Sequence, residues 1–238
     1  MTDRLDPHPK PSPKLRRLGR WLVYIVITLI VLVFVHQAVR PWYMNWGATG
    51  EEVNRTLPGD ELAPRSPYIA THAITIHAPP EKVWPWIAQI GRDRAGWYSY
   101  TWLENLCLAN TTDADRIHPE WQTRHAGDNI WLTPENRYHG NMRFVVYSYQ
   151  PEHAMVLLYP GEEEQLAHHR PSIDNTYTFC LEPQGTNASR LIMRSRNRAT
   201  GWMTRAFIYF VFEPVHFIME RKMLLTLKEL VEKSSRQP

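Results

Sequence analysis

The feature that most constrains this chain is an apolar run near its start. No charged residue interrupts residues 21–39, which lie between Arg20 and Arg40. As a helix rising about 1.5 Å per residue, this run reaches roughly 28 Å, close to the thickness of a bilayer's hydrocarbon core. Trp42, Tyr43 and Trp46 follow it, as aromatic residues do where a spanning helix meets the headgroups. The sequence therefore predicts a single-pass membrane anchor.

A cleaved signal peptide is the main alternative interpretation. It would have a shorter apolar core followed by small residues at a cleavage site, and residues 35–40 match that pattern poorly. The positive-inside rule then predicts a cytoplasmic N-terminus, an extracytoplasmic domain and location in the cell membrane. Six basic residues precede the run, and two follow soon after: Arg4, Lys10, Lys14, Arg16, Arg17 and Arg20, against Arg40 and Arg55.

The chain divides into a basic tail (1–20), the span (21–39), a Gly- and Pro-containing extended connector (40–68) and one domain (69–238). With 43% hydrophobic residues, the domain can bury a real core. The net charge of +3 is partly the tail's, so the domain is near neutral, which argues against nucleic-acid binding. Two cysteines, Cys107 and Cys180, make no disulfide framework, and we expect free thiols.

Alternation and breaker residues predict an α+β domain. Strands are expected at 71–78, 129–133, 142–149, 154–159, 173–181 and 189–198, and short helices at 81–90 and 100–108. A long helical stretch, 202–232, is broken or kinked at Pro214. An antiparallel sheet with an apolar face needs a cover, and this last helix is the only long candidate. A cavity between the two is a usual place for ligands.

Residues 74–86 (ITIHAPPEKVWPW) resemble the opening of START-like, or SRPBCC, domains with the helix-grip fold, a superfamily that includes polyketide cyclase/dehydrase-like proteins. Stretches 46–49 with 57–62, 96–105, 115–121 and 214–223 resemble a membrane-anchored bacterial subgroup of it. The resemblance implies a curved antiparallel sheet around a long C-terminal helix and a hydrophobic small molecule or lipid as ligand. It supplies no catalytic set, so function is inferred by analogy of fold.

A polar cluster at residues 113–120 is the best candidate for directed chemistry. As an enzyme of the cyclase/dehydratase type, the chain would use His118 as acid or base with Asp115 or Glu120. The simpler interpretation is a loop braced by Arg116–carboxylate pairs. We therefore expect a binding protein rather than an enzyme. A structural or interaction module with a filled core is the third alternative.

Aromatic residues are dense around residues 97–131, and we expect most of them to be core. We expect the few of these aromatic residues that reach a ligand to orient it through a hydroxyl or indole N–H group. Aromatic rings on the concave face of the sheet are expected to line the pocket. The predicted ligand-binding residues are Tyr98, Tyr100, Arg116, His118, Trp131, Phe144, Tyr177, Phe179 and Phe217.

Two surfaces leave alternatives open. Residues 202–212 are apolar on nearly all sides, so they are buried on both sides or lean on the bilayer; they are too short for a second span. The outward side of the last strand carries Arg190, Arg194, Arg196 and Arg198. This basic stripe either meets anionic headgroups or is a solvated strand face.

Motifs for a metal or a cofactor are missing from the sequence. His168 and His169 are adjacent and would point to opposite faces of an extended segment, and no spacing resembles a zinc site. Gly-x-Ser-x-Gly, Gly-x-Gly-x-x-Gly and the phosphate-binding loop are absent as well. We expect no metal and no cofactor. The membrane and one hydrophobic ligand are the expected partners, with the oligomeric state open.

Overall fold

A computed structural model describes residues 13–159, 161–162, 175–199 and 201–236. The chain forms two compact units, one ending at Pro41 and one beginning at Trp42. The first consists of helix α1 (Pro13–Met44), whose last turn belongs to the second unit. Within the described residues, one stretch, Gly19–Met44, is long and apolar enough to cross a membrane. A signal sequence near an N-terminus would also satisfy this criterion of length and composition.

The second unit is built on a six-stranded antiparallel sheet. Its strand order is β1-β6-β5-β4-β3-β2, so the first strand pairs with the last. The predicted strands are found with small shifts at their ends, and residues 173–174 of the fifth lie outside the described residues. The strands are β1 (Tyr68–Ile76), β2 (Asn129–Trp131), β3 (Arg143–Gln150), β4 (Ala154–Leu158), β5 (Thr176–Pro183) and β6 (Ser189–Asn197).

Short helices connect the strands, and one long helix closes the chain. The break predicted near Pro214 takes the form of a π turn, Ile208–Phe212, immediately before that helix. Pro214 has no N–H to donate to the carbonyl four residues earlier, so regular α-helix cannot continue through it. The helices are α2 (Gly50–Asn54), α3 (Pro80–Ala88), α4 (Thr101–Leu106), α5 (Trp202–Phe207) and α6 (Glu213–Ser234).

The main core lies between the sheet and the helices α3 and α6. Strand side chains alternate, so one face of β5 and β6 brings Tyr177, Phe179 and Leu191 to this core. Helix α6 meets them with residues spaced by three and four, among them Leu224 and Leu227. The predicted α+β class is confirmed: the chain has the helix-grip architecture, an antiparallel sheet packed against a long C-terminal helix.

The outer face of the sheet is covered at Arg190, Arg194 and Arg196, which corrects both interpretations of the basic stripe for these three; Arg198 is exposed. Arg194 is 2% exposed and contacts Asp60 at 2.5 Å, while Arg190 pairs with Glu52 at 2.7 Å. Arg196 shares Asp60 at 2.6 Å. These arginines neither face solvent nor are available to headgroups, because carboxylates from residues 52–60 neutralise them on the sheet.

The stretch predicted as an extended connector supplies this cover. Thr49 caps α2 through a reciprocal pair of hydrogen bonds with Glu52, and the chain then packs Leu57 against the sheet. Gly59, at φ +88°, lies so close to Val156 that a Cβ there would come within 2.7 Å of its side chain. Residues 47–63 therefore form a layer of the domain as well as a connection to it.

Removing the carboxylate of Asp60 tests the role of this layer. Asp60→Ala leaves Arg194 as a buried cation without its partner, which should lower the free energy of unfolding by about 3–5 kcal/mol. Urea unfolding of the full chain in detergent micelles, followed by tryptophan fluorescence, measures the change. Glu61→Ala, at an exposed neighbouring carboxylate, is the control and should stay within about 0.5 kcal/mol of the parent. Equal, small effects of the two changes would contradict the structural role of the layer.

Candidate functional site

A buried ion pair joins the inner face of the sheet to the closing helix. His72 on β1 and Glu220 on α6 bring Nδ1 and Oε2 within 2.5 Å, off the line of an ideal hydrogen bond. The side chains are 2% and 4% exposed. The other ring nitrogen of His72, Nε2, lies 2.8 Å from the carbonyl oxygen of Tyr43. Three separate parts of the chain thus meet at one imidazole.

The partners of His72 fix its protons. A carbonyl oxygen can only accept, so Nε2 carries a hydrogen and donates it to Tyr43. The opposite nitrogen then faces a carboxyl oxygen, and two lone pairs cannot approach to this distance without a proton between them. The pair therefore holds one shared proton, as an imidazolium with a carboxylate or as its neutral equivalent.

The electrostatics favour the charged form of the pair. Burial opposes a charge on His72, but the Glu220 carboxylate and the Tyr43 carbonyl outweigh it and raise the pKa of His72 above its ordinary value. Burial likewise opposes a charge on Glu220, yet His216, His72 and the Tyr177 hydroxyl lower the pKa of Glu220 to about 2. At neutral pH, Glu220 is a buried carboxylate held by the groups around it.

His216 and two tyrosines complete the cluster. His216 precedes Glu220 by one helical turn, with Nδ1 3.4 Å from Oε2, and burial lowers the pKa of His216, so it is neutral. Tyr177 donates its hydroxyl to Glu220, and burial together with that charge raises the pKa of Tyr177 far above its usual range. Burial and Glu220 raise the pKa of Tyr159 in the same way. The tyrosines thus stay protonated and act as donors.

A small cavity lies beside this cluster, between β1, β6 and the chain from the π turn into α6. Its volume is about 20 Å³, room for about one water molecule. Its lining combines polar and apolar side chains: His72, Ser195, Asn197, Glu213 and His216, with Met44, Tyr68, Ala70, Ile208, Phe212 and Phe217. The predicted location between sheet and closing helix holds a cavity, but one much smaller than a drug-sized ligand needs.

The roof of this cavity, residues 202–212, is weakly packed. Ile208 and Phe212 line the cavity from above, yet no residue of α5 or the π turn is buried. The roof starts at Gly201, at φ +85°, and ends at the π turn before Pro214. Segments with few buried contacts open at low cost in free energy, so the roof is the part of this wall that can move.

Four predicted aromatic residues lie at the cluster or at the cavity beside it. The rings of Phe144 and Tyr177 are stacked, with centroids 5.4 Å apart, and Phe179 packs edge-on against Tyr177 at 5.3 Å. Phe217 lines the cavity itself. Phe217 therefore lies where a ligand entering beneath the roof would meet it. Phe144 and Phe179 support Tyr177, whose hydroxyl bonds Glu220, from the core.

The other predicted aromatic residues lie elsewhere. Tyr98 is fully buried, and its hydroxyl accepts a hydrogen bond from Gln89 at 2.7 Å. Tyr100 precedes α4 and lies against Trp102, with ring centroids 6.4 Å apart. Trp131 is half-buried on β2 under the guanidinium of Arg143. None of the three lines the cavity.

The polar loop at 113–120 is also separate from the cavity. His118 stacks on Trp121, with ring centroids 4.0 Å apart, and its Nδ1 lies 3.1 Å from the exposed Glu120. Arg116 and Asp115 are exposed, and Arg116 reaches His118 at 3.5 Å. Their mutual contacts are those of a braced loop. The cavity-lining imidazoles are His72 and His216, which sequence reasoning did not select.

A periodicity in the sequence could have revealed the central carboxylate. Phe217, Leu224, Leu227 and Val231 follow the helical spacing of the core face of α6, and Glu220 occupies a position of that same face. An acid in an apolar stripe requires a buried partner. Its partner on β1 comes from the tertiary fold, which no local pattern shows.

Metal binding has no support in the described part of the chain, where no group of three or more His, Cys, Asp or Glu side chains is arranged to hold an ion.

A second hollow of about 570 Å³ lies on the surface, lined by Arg92, Asn105 and Arg137 among others, and it contains none of the predicted site residues. The buried cluster beside the small cavity is therefore the candidate site.

No protein-family model and no curated protein sequence matches the chain. Solved structures of low sequence identity do. A polyketide-cyclase-like protein of Corynebacterium glutamicum is 14% identical over 71% of this chain and 93% of its own, with a TM-score of 0.36. The self-sacrificing resistance protein CalC of Micromonospora echinospora is 7% identical over 71% and 97%, with a TM-score of 0.42. Aha1 of Colwellia psychrerythraea is 20% identical over 69% and 96%, with a TM-score of 0.37. These likenesses concern the fold, so the function has to follow from this chain's own residues.

The pH dependence of stability tests the buried pair. His72 has a raised pKa in the folded protein, so its stabilisation is complete below the ordinary value of 6.5 and is lost as the pH rises through the raised value. The full chain should therefore lose unfolding free energy as the pH rises above 6.5. Glu220→Gln removes the charge that raises the pKa of His72, and this loss should disappear.

Urea unfolding of the full chain at a series of pH values measures both profiles. Glu229→Gln, at an exposed carboxylate of the same helix, is the matched control and should keep the parent's pH profile. An unchanged profile in Glu220→Gln would contradict the charged pair.

Proposed function

We propose that this protein is a membrane-anchored helix-grip domain that binds a hydrophobic small molecule or lipid between its sheet and helix α6. The observation that carries the proposal is the cavity beneath the roof, whose lining combines apolar side chains with polar ones, among them His72 and His216. A hydrophobic molecule with a polar group matches this mixed lining. Its apolar part would replace the contacts of Ile208 and Phe212, and its polar group would meet His216.

The polar side chains of the lining suit a ligand that accepts or donates hydrogen bonds. Glu220 faces the Nδ1 side of His216, so the neutral ring carries its proton there and leaves Nε2 as an acceptor. Buried polar groups without partners are costly, so a ligand group that bonds to Nε2 gains specificity as well as affinity. Since the cavity holds only about one water, binding requires the roof to move outward.

The anchor rests on the apolar span and on the charge distribution around it. The basic residues before the span favour a cytoplasmic N-terminus and an extracytoplasmic domain. The enzyme alternative assigned the acid or base role to His118 with Asp115 or Glu120. His118 is remote from the cavity lining, so it is not placed to act on a ligand in this cavity.

Native mass spectrometry of the full chain released from detergent, followed by solvent extraction, tests the proposal. We expect a co-purified hydrophobic molecule with a polar group. Ala70→Leu adds bulk to the cavity wall and should reduce the bound fraction strongly, because the described cavity has room for about one water only. His216→Phe keeps an aromatic ring but removes the acceptor, and should weaken binding with little change in size.

Thr186→Leu, at the exposed tip of the β5–β6 hairpin, is the matched control and should retain the ligand. Urea unfolding of each variant shows that the fold is kept. A protein that carries no such molecule and binds no hydrophobic fluorescent probe would contradict the proposal and favour a structural or interaction module.

A further inference from the structure

An exposed apolar stripe follows the outer side of α5, the π turn and the start of α6. Trp202 is 79% exposed and Phe207 is 57% exposed, although both are large apolar side chains. Continuous apolar surface of this kind is rare on soluble domains and marks a surface that contacts a partner or a membrane. We call it the outer stripe, and it consists of Trp202, Met203, Phe207, Phe210, Val211 and Ile218.

The stripe begins beside the residues that follow the apolar span. Tyr43, in the last turn of α1, contacts Glu213 at the start of α6, with Oη and Oε2 3.4 Å apart. The rings of Trp42 and Phe217 pack edge to face, with centroids 5.4 Å apart. The chain thus enters the domain next to the helix that carries the stripe, and a bilayer crossed by residues 21–39 lies within a few residues of that entry point.

The charges along the stripe suit a lipid surface. Apart from His216, which lines the cavity, residues 201–219 contain one base, Arg205, which is exposed, and one acid, Glu213, which is 6% exposed. Large apolar side chains with an exposed arginine are typical of a helix lying in the membrane interface, where anionic headgroups attract the base.

We propose that the outer stripe docks into the lipid bilayer, with α5 and the π turn lying in the interface. The sequence left burial on both sides as the alternative for residues 202–212, and their exposure removes it. This docking does not depend on the ligand proposed above. If both hold, the roof of the cavity is the membrane-facing wall, and a ligand entering beneath it comes from the lipid.

Site-specific fluorescence of the full chain in vesicles tests the docking. Phe207→Cys and Ile218→Cys, each combined with Cys107→Ser, are labelled with the environment-sensitive dye NBD; Cys180 is buried and stays unlabelled. The vesicles contain phosphatidylethanolamine and phosphatidylglycerol, with or without a doxyl-labelled lipid that quenches the dye. Thr186→Cys, also combined with Cys107→Ser, is the control. Residue 186 lies near the end of the sheet where Ile76 pairs with Ser189. The cavity lies at the other end, where Tyr68 pairs with Asn197.

Docking predicts loss of NBD fluorescence at positions 207 and 218 with the doxyl lipid, and no loss at position 186. Quenching of 207 and 218 by aqueous iodide, to the same extent as 186, would show a solvent-exposed stripe and overturn the proposal. Protection from both quenchers would show that another protein surface, such as a second copy of this chain, covers the stripe, and would overturn it as well. Co-purification of a ligand bears on neither result.

Discussion

The interaction on which the architecture depends is the buried ion pair between Glu220 and His72. An ionised group in the interior is stable only with partners, and Glu220 takes its partners from β1, β5 and its own helix. Through His72 it also reaches the backbone of Tyr43, in the last turn of α1. The same contacts connect the sheet, the closing helix and the residues after the span, and they add to the apolar packing of α6 on the sheet.

The chain is packed more tightly after Glu220 than it is in residues 202–212, before Glu220. Beyond Glu220, α6 is packed by Leu224, Leu227 and Val231, and Lys228 donates to the carbonyl of Thr75 at 2.6 Å. Before it, residues 202–212 contribute no buried side chain. A weakly held roof over the cavity therefore leads into a firmly packed helix.

Much of the fold follows from local sequence. Alternation in β5 and β6 and the breaker at Pro214 predict the sheet and the interrupted closing helix. The cover on the outer face could not be predicted from local sequence, because the pairing of Arg194 with Asp60 joins residues far apart in the chain. The candidate site was predicted in part: Tyr177 and Phe217 lie at it, whereas His118 does not. His72 and His216 can be recognised as site residues only from their contacts with Glu220, and the contact with His72 forms only when the sheet and α6 pack together.

Amide hydrogen exchange of the full chain in detergent micelles tests the central claim, that residues 202–212 can move while α6 stays packed on the sheet. The account predicts that amides of residues 202–212 exchange through local opening, at a rate insensitive to low concentrations of denaturant. Amides of α6 from Glu220 to Val231 should exchange only with global unfolding. Equal protection of the two segments would mean that the roof is as firmly held as the helix, and would contradict the account.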